Sequence, residues 1–454
     1  MSDVLVIGGG ISGLTAAWAL MRAGVDVRVL EASPRAGGLI QTASVDGFTI
    51  EDGPDALLAQ KPAGIELCEQ LGLGDQVIEM QARGAFVLRD GRLFPLPSPS
   101  VLGLPQTWRA LARYDLLPWR ARLRLAMEPV IPRRRARDDE SVAAFFRRRF
   151  GAAAVDLIAQ PLLGGIHAGD IERLSIASLF PRLVEAERTH GRVWGAFRHA
   201  RSPSGAAPFR SLRGGMGSLI AALEDRLRDR IRYGCAAARL ERRGVWHVEA
   251  SDGETVDARA VIVAAPASAA AALFRQVDPI VSAACAEVPY VSTAAVSLAI
   301  ARASVAHPLA GSGFVVARRH STARITACTW ASSKWEARAP EGFVLLRAFI
   351  GGHHDPEAVD LDDGELTAIA WRDLRGVLGL TGAPVLARVT RWRHAGPQHV
   401  VGHLARVQEI ERRLVAHPGL FVTGSGFRAI GIPDCIADAR TAATAAARWM
   451  MDDG

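Results

Sequence analysis

The sequence predicts an α/β fold in which strand–turn–helix units from both ends of the chain share one sheet, a second block is built of strands, and a third block is helical. Three observations predict it. The first thirty or so residues read strand, glycine turn, helix and strand. Residues 419–451 repeat strand, glycine loop and helix, while 90–205 carry a proline-punctuated helical pattern and 290–395 alternate like strands. A chain of 454 residues is expected to form two or three domains.

The opening stretch matches a dinucleotide-binding unit. A buried-strand pattern at 4–7 precedes a GxGxxG turn, and an alanine-rich helix is followed by a second strand that ends on Glu31. Glycines let the backbone approach a pyrophosphate, the helix N-terminus favours its charge, and the carboxylate can accept hydrogen bonds from a ribose. The unit alone fits NAD or FAD. The continuation Ala32-Ser33-Pro34-Arg35-Ala36-Gly37-Gly38 favours FAD, since a second glycine pair with an arginine is typical of flavoproteins of the amine oxidase superfamily.

Composition narrows the class of protein. The chain is 49% hydrophobic and 22% charged, which is typical of globular proteins, and it has no apolar run long enough for a membrane helix. Five widely spaced cysteines without a CxxC pair predict reduced thiols, no metal site and a cytoplasmic location. The net charge of +7 comes almost entirely from arginine, since Lys61 and Lys334 are the two lysines. It favours anionic partners, or it reflects only an arginine-rich proteome.

The remaining elements follow from periodicity and turn signals. Three stretches are expected to return to one sheet: the opening residues, 214–265 and 419–451. Strands of the second block are expected at 293–299, 313–317, 324–329, 343–349 and 385–392. The arginine clusters at 133–135 and 147–149 are interpreted as solvated helix faces, with a membrane-surface or partner-docking patch as the alternative.

Five stretches carry a resemblance to a known family. They are "EDGPDALL" (51–58), "QPLLGGIHAGDIERLSIASLFPRL" (160–183), "RITACTW" (324–330), "TRWRHAGPQHVVGH" (390–403) and "FRAIGIPDCIADA" (427–439). Together they make the chain resemble the FAD-dependent porphyrinogen oxidases of haem biosynthesis over nearly its whole length. It is most similar to the Gram-positive-type enzymes that oxidise coproporphyrinogen III, with protoporphyrinogen IX oxidases as the alternative.

The resemblance implies a domain plan. A discontinuous Rossmann-like FAD-binding domain is expected at 1–50, 210–275 and 390–454, a mixed-sheet substrate domain at 51–89 and 276–389, and an inserted helical domain at 90–209 that contacts membranes in some relatives. It also implies the reaction: hydride passes from a methylene bridge of the tetrapyrrole to the flavin N5, and dioxygen reoxidises the flavin with release of hydrogen peroxide. No catalytic acid or base is expected, since the cofactor carries the chemistry.

Other partners are expected to be few. The product could be handed to a ferrochelatase, membrane contact is at most peripheral, nucleic acid is not expected, and the chain is a monomer or homodimer.

The resemblance also assigns residues to the cofactor, residue by residue. Those expected to hold FAD are Gly8, Gly9, Gly10, Ile11, Ser12, Gly13, Glu31, Ala32, Arg35, Gly37, Gly38, Gly53, Pro54, Ala237, Trp392, Gly431, Ile432 and Pro433. The last three would present backbone at the flavin edge near a helix N-terminus, where positive potential favours negative charge on the reduced ring.

The macrocycle is expected between apolar residues. Val315, Thr329 and Phe349 would form its walls, with the Gly165 carbonyl facing it; for Val315 and Phe349 the alternative is an ordinary strand core. The position that matches the propionate-binding arginine of plant and animal relatives is Ala85. Arg83 could replace that arginine, or nothing does, and Lys61 is a second candidate anchor unless it is merely solvated.

Three rival functions are weighed against this one. A flavin amine oxidase is disfavoured because the C-terminal flavin segment has no tyrosine and Ser425-Gly426-Phe427 supplies no thiol for covalent attachment. A carotenoid desaturase is disfavoured because such enzymes do not share the "GIPDC" motif of this chain. A non-catalytic porphyrin carrier remains a rival from another class. Cys435 is interpreted as buried packing and not as a redox thiol, because no second cysteine could resolve it.

Overall fold

The computed structural model describes residues 2–136, 138–196 and 207–452. Two large sheets organise the chain, and a helical block lies beside the second. The remaining short strands form hairpins and a small sheet: Thr42–Val45, Phe48–Glu51, Leu57–Leu58, Val77–Glu79, Phe209–Leu212, Ser100–Val101 and Leu104–Pro105. The sequence-based α/β prediction is confirmed.

The first sheet draws its seven strands from three separate stretches of the chain. In spatial order they are Ile231–Arg232, Val27–Leu30, Ser2–Ile7, Thr255–Val263, Val245–Ala250 and Ala237–Arg243, with Leu420–Val422 also paired to Thr255–Val263. The strands nearest the centre are parallel, and their apolar residues are buried on both faces, as parallel sheets require. Their carboxyl ends therefore meet at one edge, where ligands of open α/β sheets bind.

Helices from both ends of the chain cover this sheet. Ile11–Arg22 and the last helix, Ile432–Asp452, bury their alanine-rich faces in the same core as Gly217–Leu227. Small side chains permit close helix packing, which explains why the C-terminal helix docks beside the first one. The other helices of this half and its periphery are Ala63–Gln70, Ala267–Phe274, Pro279–Ala286 and His403–Leu414.

The second sheet is mixed and also seven-stranded. Its order is Leu386–Pro397, Tyr290–Ala301, Phe343–Gly351, Ala327–Trp330, Gly313–Val316, Phe86–Arg89 and Arg92–Pro95. Only the pairing of Gly313–Val316 with Phe86–Arg89 is parallel. The helix Asp363–Leu378 covers one face, and Ala331–Lys334 is a short helix between strands. The expected domain boundaries at 89/90 and 389/390 fall inside a hairpin and inside a strand of this sheet.

The helical block has its own apolar core. Its helices are Trp108–Ala112, Trp119–Ala126, Val142–Phe150, Ala152–Ala154, a wide π-helical segment at Val155–Gly164, Gly165–His167, Ile176–Leu179 and Pro181–His190. Residues 197–206 of the expected 90–209 domain lie outside the described residues. Among the described helices, none combines the length and the apolar character needed to cross a bilayer.

The interpretation of the arginine clusters as solvated helix faces was wrong for part of them. Arg149 is fully buried and Arg148 is half-buried between Glu140 and Glu187, whereas Arg147 has an exposed ion pair with Glu172. The cluster at 133–135 lies in a loop and not on a helix, and Arg133 and Arg135 are exposed. Carboxylates supplied by neighbouring elements hold Arg148 and Arg149 inward.

The pair Arg149–Glu128 is the buried polar centre of the helical block, and neither side chain is exposed. Arg149 Nε donates to Glu128 Oε1 at 2.8 Å, and its Nη1 donates to the Ile131 carbonyl at 2.8 Å. Glu128 also accepts the backbone N–H groups of Val193 and Trp194 at 2.9 and 3.0 Å. A carboxylate with this many partners fixes the loop after Pro181–His190.

Replacing Glu128 by alanine should destabilise the protein by about 3–5 kcal/mol, because it leaves the Arg149 charge buried and unpaired. The matched control is Glu172→Ala, which breaks the exposed pair with Arg147 and should cost less than about 1 kcal/mol. Urea unfolding followed by fluorescence measures both. Equal losses in the two variants would contradict a special role for the buried pair.

Candidate flavin and substrate site

A long cleft of ≈ 660 Å³ lies at the carboxyl edge of the first sheet. Its walls come from both ends of the chain and from the last strand of the second sheet. Thirteen of the predicted cofactor residues line it: Gly8, Gly10, Ile11, Ser12, Glu31, Ala32, Gly37, Gly38, Pro54, Ala237, Trp392, Gly431 and Ile432. The fold therefore brings together, in one cleft, predicted residues that are separated by more than four hundred positions in the sequence.

The glycines of the turn are required for different structural reasons. At Gly10 a Cβ would meet no atom within 4 Å, so the turn leaves open space where a pyrophosphate would lie. At Gly13 a Cβ would lie 1.8 Å from the Gly8 carbonyl oxygen, so this glycine permits the first helix to pack against the first strand. Gly8 has φ +109°, a conformation that favours glycine. The turn thus fits a dinucleotide such as FAD.

Glu31 stands at the end of the second strand, nine-tenths buried in the cleft wall. Its carboxylate accepts the backbone N–H groups of Gly9 and Ser33 at 2.6 and 2.7 Å, and the Ser33 hydroxyl as well. These donors orient both oxygens and leave further lone pairs for ribose hydroxyls. With a dinucleotide bound, Glu31 would mark the ribose end of the cleft, and the residues farthest from it would mark the ring end.

Five predicted cofactor residues lie behind the wall. Gly9 backs onto Glu31, Gly13 packs on Gly8, and a Cβ at Gly53 would lie 1.7 Å from the Leu39 carbonyl oxygen. The other two also stabilise the wall: Arg35 donates to the carbonyl groups of Ala36 and Gly38 at 3.0 and 2.9 Å, and Pro433 packs beside Gly64. All five can shape the cleft without lining it.

Asp52 joins the loop after the hairpin strand Phe48–Glu51 to the last strand of the second sheet, beside the cleft. Its buried carboxylate accepts both Nε and Nη2 of Arg388 at 2.9 and 2.7 Å and the Thr390 hydroxyl at 2.7 Å. Its carbonyl accepts the Trp392 indole N–H at 2.8 Å and Arg347 Nη2 at 3.2 Å. These bonds fix the orientation of Trp392 in the cleft.

Asp55 extends this charged cluster. Burial would raise the pKa of its carboxyl, but Lys334 and Arg347 outweigh burial and lower it to about 2. The Lys334 ammonium lies 3.0 and 2.9 Å from the two Asp55 oxygens, and the Trp335 indole donates at 3.2 Å. The segment "EDGPDALL" is therefore anchored by cations that lie far away in the sequence.

The predicted substrate walls share one face of the second sheet. Val315 pairs with Ala327, and Ala327 pairs with Phe349, so the three side chains form one row. A Cβ at Gly165 would lie 4.0 Å from Val315 Cγ1, which puts the wide helical segment of the helical block over this row. Thr329 lies in the next row, opposite Arg347. The row through Val315 is apolar, whereas the row of Thr329 continues through Arg347 and Ser297 and is polar.

The two predicted propionate anchors lie apart from this row. Lys61 Nζ contacts both oxygens of Asp434 at 2.7 and 2.6 Å, beside the Gly431 backbone in the cleft wall. Arg83 is exposed just before the strand Phe86–Arg89 and has no ion-pair partner among the described residues. Lys61 therefore pairs with the segment at Gly431–Asp434 in the cleft wall.

Sequence reasoning missed several cleft residues, chiefly Tyr290, Ser425, Arg393, His394 and the alanines 264 and 265. Burial raises the pKa of Tyr290 to about 12, so the phenol stays neutral, and its oxygen accepts the Ala267 N–H at 2.7 Å. The sequence offered one signal for buried polar groups near the site, namely a charged residue within an otherwise apolar strand, as Arg347 is. Cys435 lines the cleft, and burial raises the pKa of its thiol to about 12; all five cysteines are free and buried.

Buried histidines hold the cleft loop at 424–427. His399 Nε2 donates to the Ser425 carbonyl at 2.9 Å, and His403 Nε2 donates to the Phe427 carbonyl at 2.7 Å. The two rings stack 3.8 Å apart, with His167 close by. Burial, and then the neighbouring His399, lower the pKa of His167 and of His403 to about 4. Burial lowers the pKa of His399 too.

Replacing Gly10 by alanine should weaken FAD binding by about tenfold or more, since the methyl group would hold the pyrophosphate away from the turn. The backbone at Gly10 has φ −73°, so the variant should fold normally. Gly376→Ala is the matched control, because a Cβ there also meets no atom but lies in a helix away from the cleft. Flavin fluorescence titration of the apoprotein would measure both; equal affinities would contradict the cofactor site.

The free energy of unfolding should decrease as the pH is lowered from 6.5 to about 4. The unfolded histidines take up protons near pH 6.5, whereas the folded His167 and His403 resist protonation until about pH 4, so added protons favour unfolding. Each such proton contributes a slope of about 1.4 kcal/mol per pH unit. His403→Gln should reduce the slope and exposed His190→Gln should not; chemical unfolding and flavin release at several pH values provide the measurement. A pH-independent free energy would refute this.

Comparisons with known proteins agree with this geometry. The model of the flavin containing amine oxidoreductase family matches residues 11–447. The chain is 35% identical to the coproporphyrinogen III oxidase of Bacillus subtilis, covering 99% of this chain and 100% of that one, and 32% identical to the Staphylococcus aureus enzyme of the same name, covering 97% and 98%. A crystal structure from Exiguobacterium sp., assigned to protoporphyrinogen oxidase, superposes with a TM-score of 0.86 at 31% identity over 98% of both chains.

The cleft built from both chain ends, the glycine turn and the full-length similarities lead to one conclusion. The chain belongs to the flavin-containing amine oxidoreductase family and, within it, to the porphyrinogen oxidases.

Proposed function

We propose that the protein dehydrogenates coproporphyrinogen III to coproporphyrin III, with FAD as cofactor and dioxygen as electron acceptor, in haem biosynthesis. The observation that carries the proposal is the apolar face of Val315, Ala327 and Phe349, covered by Gly165 and adjoining the cleft at Trp392. The apolar ring system of a tetrapyrrole suits such a face, with its propionates at the periphery. Similarity to relatives named for coproporphyrinogen III supports this substrate over protoporphyrinogen IX.

The chain's own residues would bind and orient the cofactor and the substrate and would keep water out of the site. A bound FAD would supply the redox chemistry of the reaction, as the hydride acceptor and as the electron donor to dioxygen. Val315 and Phe349 exclude water from the reacting methylene, while the Gly165 carbonyl can accept contacts from the pyrrole N–H groups. The N-terminus of Ile432–Asp452 directs its positive dipole end towards the cleft. Tyr290 stays neutral and supplies no base.

Propionate binding belongs to the same proposal. Lys61 is a candidate anchor, because its ammonium is partly exposed beside the cleft even while it pairs with Asp434. Arg83, exposed at the start of the second sheet, is the other candidate, and Thr329 would border the macrocycle. The wall residues Gly9, Gly13, Arg35, Gly53 and Pro433 would support the cofactor indirectly.

The proposal extends to the cellular setting of the protein. We expect a cytoplasmic monomer or homodimer, hand-over of product to a ferrochelatase and at most peripheral membrane contact. An exposed apolar stripe of Trp119, Leu123 and Met127 on one helix face supports such contact.

The protein should oxidise coproporphyrinogen III faster than protoporphyrinogen IX, because cationic side chains suit four propionates better than two. Porphyrin fluorescence growth under air with both substrates would measure the preference, and faster turnover of protoporphyrinogen IX would reverse the assignment. Anaerobic porphyrinogen should also bleach the flavin absorbance. A yellow protein that binds porphyrin without bleaching would instead be a carrier.

A further inference from the structure

A small cavity lies beside Gly165, at the edge of the substrate face. Its volume is ≈ 20 Å³, and its walls include Gln160 of the wide helical segment, Arg318, Gly351 and His354. Arg318 lies two residues beyond the strand that carries Val315, which is four strand spacings, about 19 Å, from the strand of Trp392. Gly351 is two spacings from that strand. The cavity therefore borders the substrate face and not the flavin cleft.

Two buried polar atoms point to a ligand here. Arg318 Nη1 and Gln160 Oε1 are both buried and have no hydrogen-bond partner among the described residues. A buried donor without a partner is costly, so such groups usually meet water or a ligand. Gln160 can present either its oxygen or its NH2 group to the cavity, since an amide can flip.

The charge balance around the cavity leaves Arg318 without an ion pair among the described residues, since the one carboxylate that attracts it, Asp355, is held by Arg324. Arg324 takes both oxygens of Asp355 at 2.6 and 3.0 Å, Arg319 lies 3.4 Å from Asp156, and His353 lies 3.4 Å from Asp170. His354 contacts the Gln160 amide nitrogen at 3.1 Å and adds no negative charge. Burial lowers the pKa of the Arg318 guanidinium, as expected of a cation short of compensation.

We propose that Arg318, together with Gln160, forms a carboxylate subsite that holds one propionate of the tetrapyrrole. The inference rests on the proposed function, and it supplies the cation that the expected anchor positions lack near Val315 and Gly165. A guanidinium binds carboxylate through paired N–H groups, and a cavity of this size admits a carboxylate oxygen. The same cavity could hold one water molecule, and the experiment separates the two occupants.

The test measures binding of coproporphyrin III to the flavin-loaded protein by fluorescence quenching. Arg318→Met should weaken binding by about tenfold, the loss expected for one hydrogen-bonded charge pair, while Arg318→Lys should restore part of it. Arg319→Met is the matched control, because Arg319 is exposed on the same turn and does not line the cavity. Flavin content and thermal stability check that each variant folds.

Two further arms make the outcome decisive. The tetramethyl ester of coproporphyrin III, which lacks carboxylates, should bind wild type and Arg318→Met equally. Gln160 lines the cavity from the helical segment. Gln160→Met should weaken binding of the free acid by about threefold, the loss expected for one neutral hydrogen bond. Unchanged affinity in Arg318→Met and Gln160→Met would mean that the cavity holds water only and would overturn the subsite. A wild-type protein that binds the ester but not the acid would overturn it too. If wild type binds neither, the proposed function itself fails.

Discussion

The ion pair between Asp52 and Arg388 is the contact on which the two halves of the molecule depend. It joins the segment after the first hairpin to the edge strand of the second sheet, 336 positions away in the sequence. Both oxygens of the carboxylate are engaged, and the adjoining carbonyl fixes Trp392. Because the pair is buried on the Asp52 side, breaking it would leave a charge without compensation. The cleft and the substrate face therefore hold a fixed relative position.

Charge burial follows the same logic elsewhere. Arg149 pairs with Glu128 inside the helical block, and Lys334 pairs with Asp55, 279 positions away. In both pairs the carboxylate accepts hydrogen bonds from additional donors. An arginine-rich protein with few lysines gains from this, since a planar guanidinium can satisfy several acceptors at once. Basic composition thus serves internal architecture as well as any anionic partner.

The sequence predicted the fold and much of the cleft because those features are local. A strand, a glycine turn, a helix and Glu31 follow one another within thirty residues, and alternation located five of the seven strands of the second sheet. The hairpin strands Phe86–Arg89 and Arg92–Pro95 were not predicted, since 90–205 was expected to be helical. The resemblance supplied the distant wall residues, such as Trp392 and Gly431. What could not be predicted was contact between remote side chains: nothing in "EDGPDALL" indicates which arginines bind it, and Arg149 looks like any member of a solvated cluster. The histidines that fix the loop at 424–427 were equally invisible, since their burial is a tertiary property.

The last helix has a consequence for how the protein is made. Gly431 and Ile432 complete the cleft, and Ile432–Asp452 packs against the first helix of the chain. A nascent polypeptide emerging from the ribosome has its glycine turn long before it has the opposite wall. Cofactor capture must therefore wait until Ile432–Asp452 has been synthesised, and a product truncated before Gly431 would leave one edge of its nucleotide cleft open to solvent.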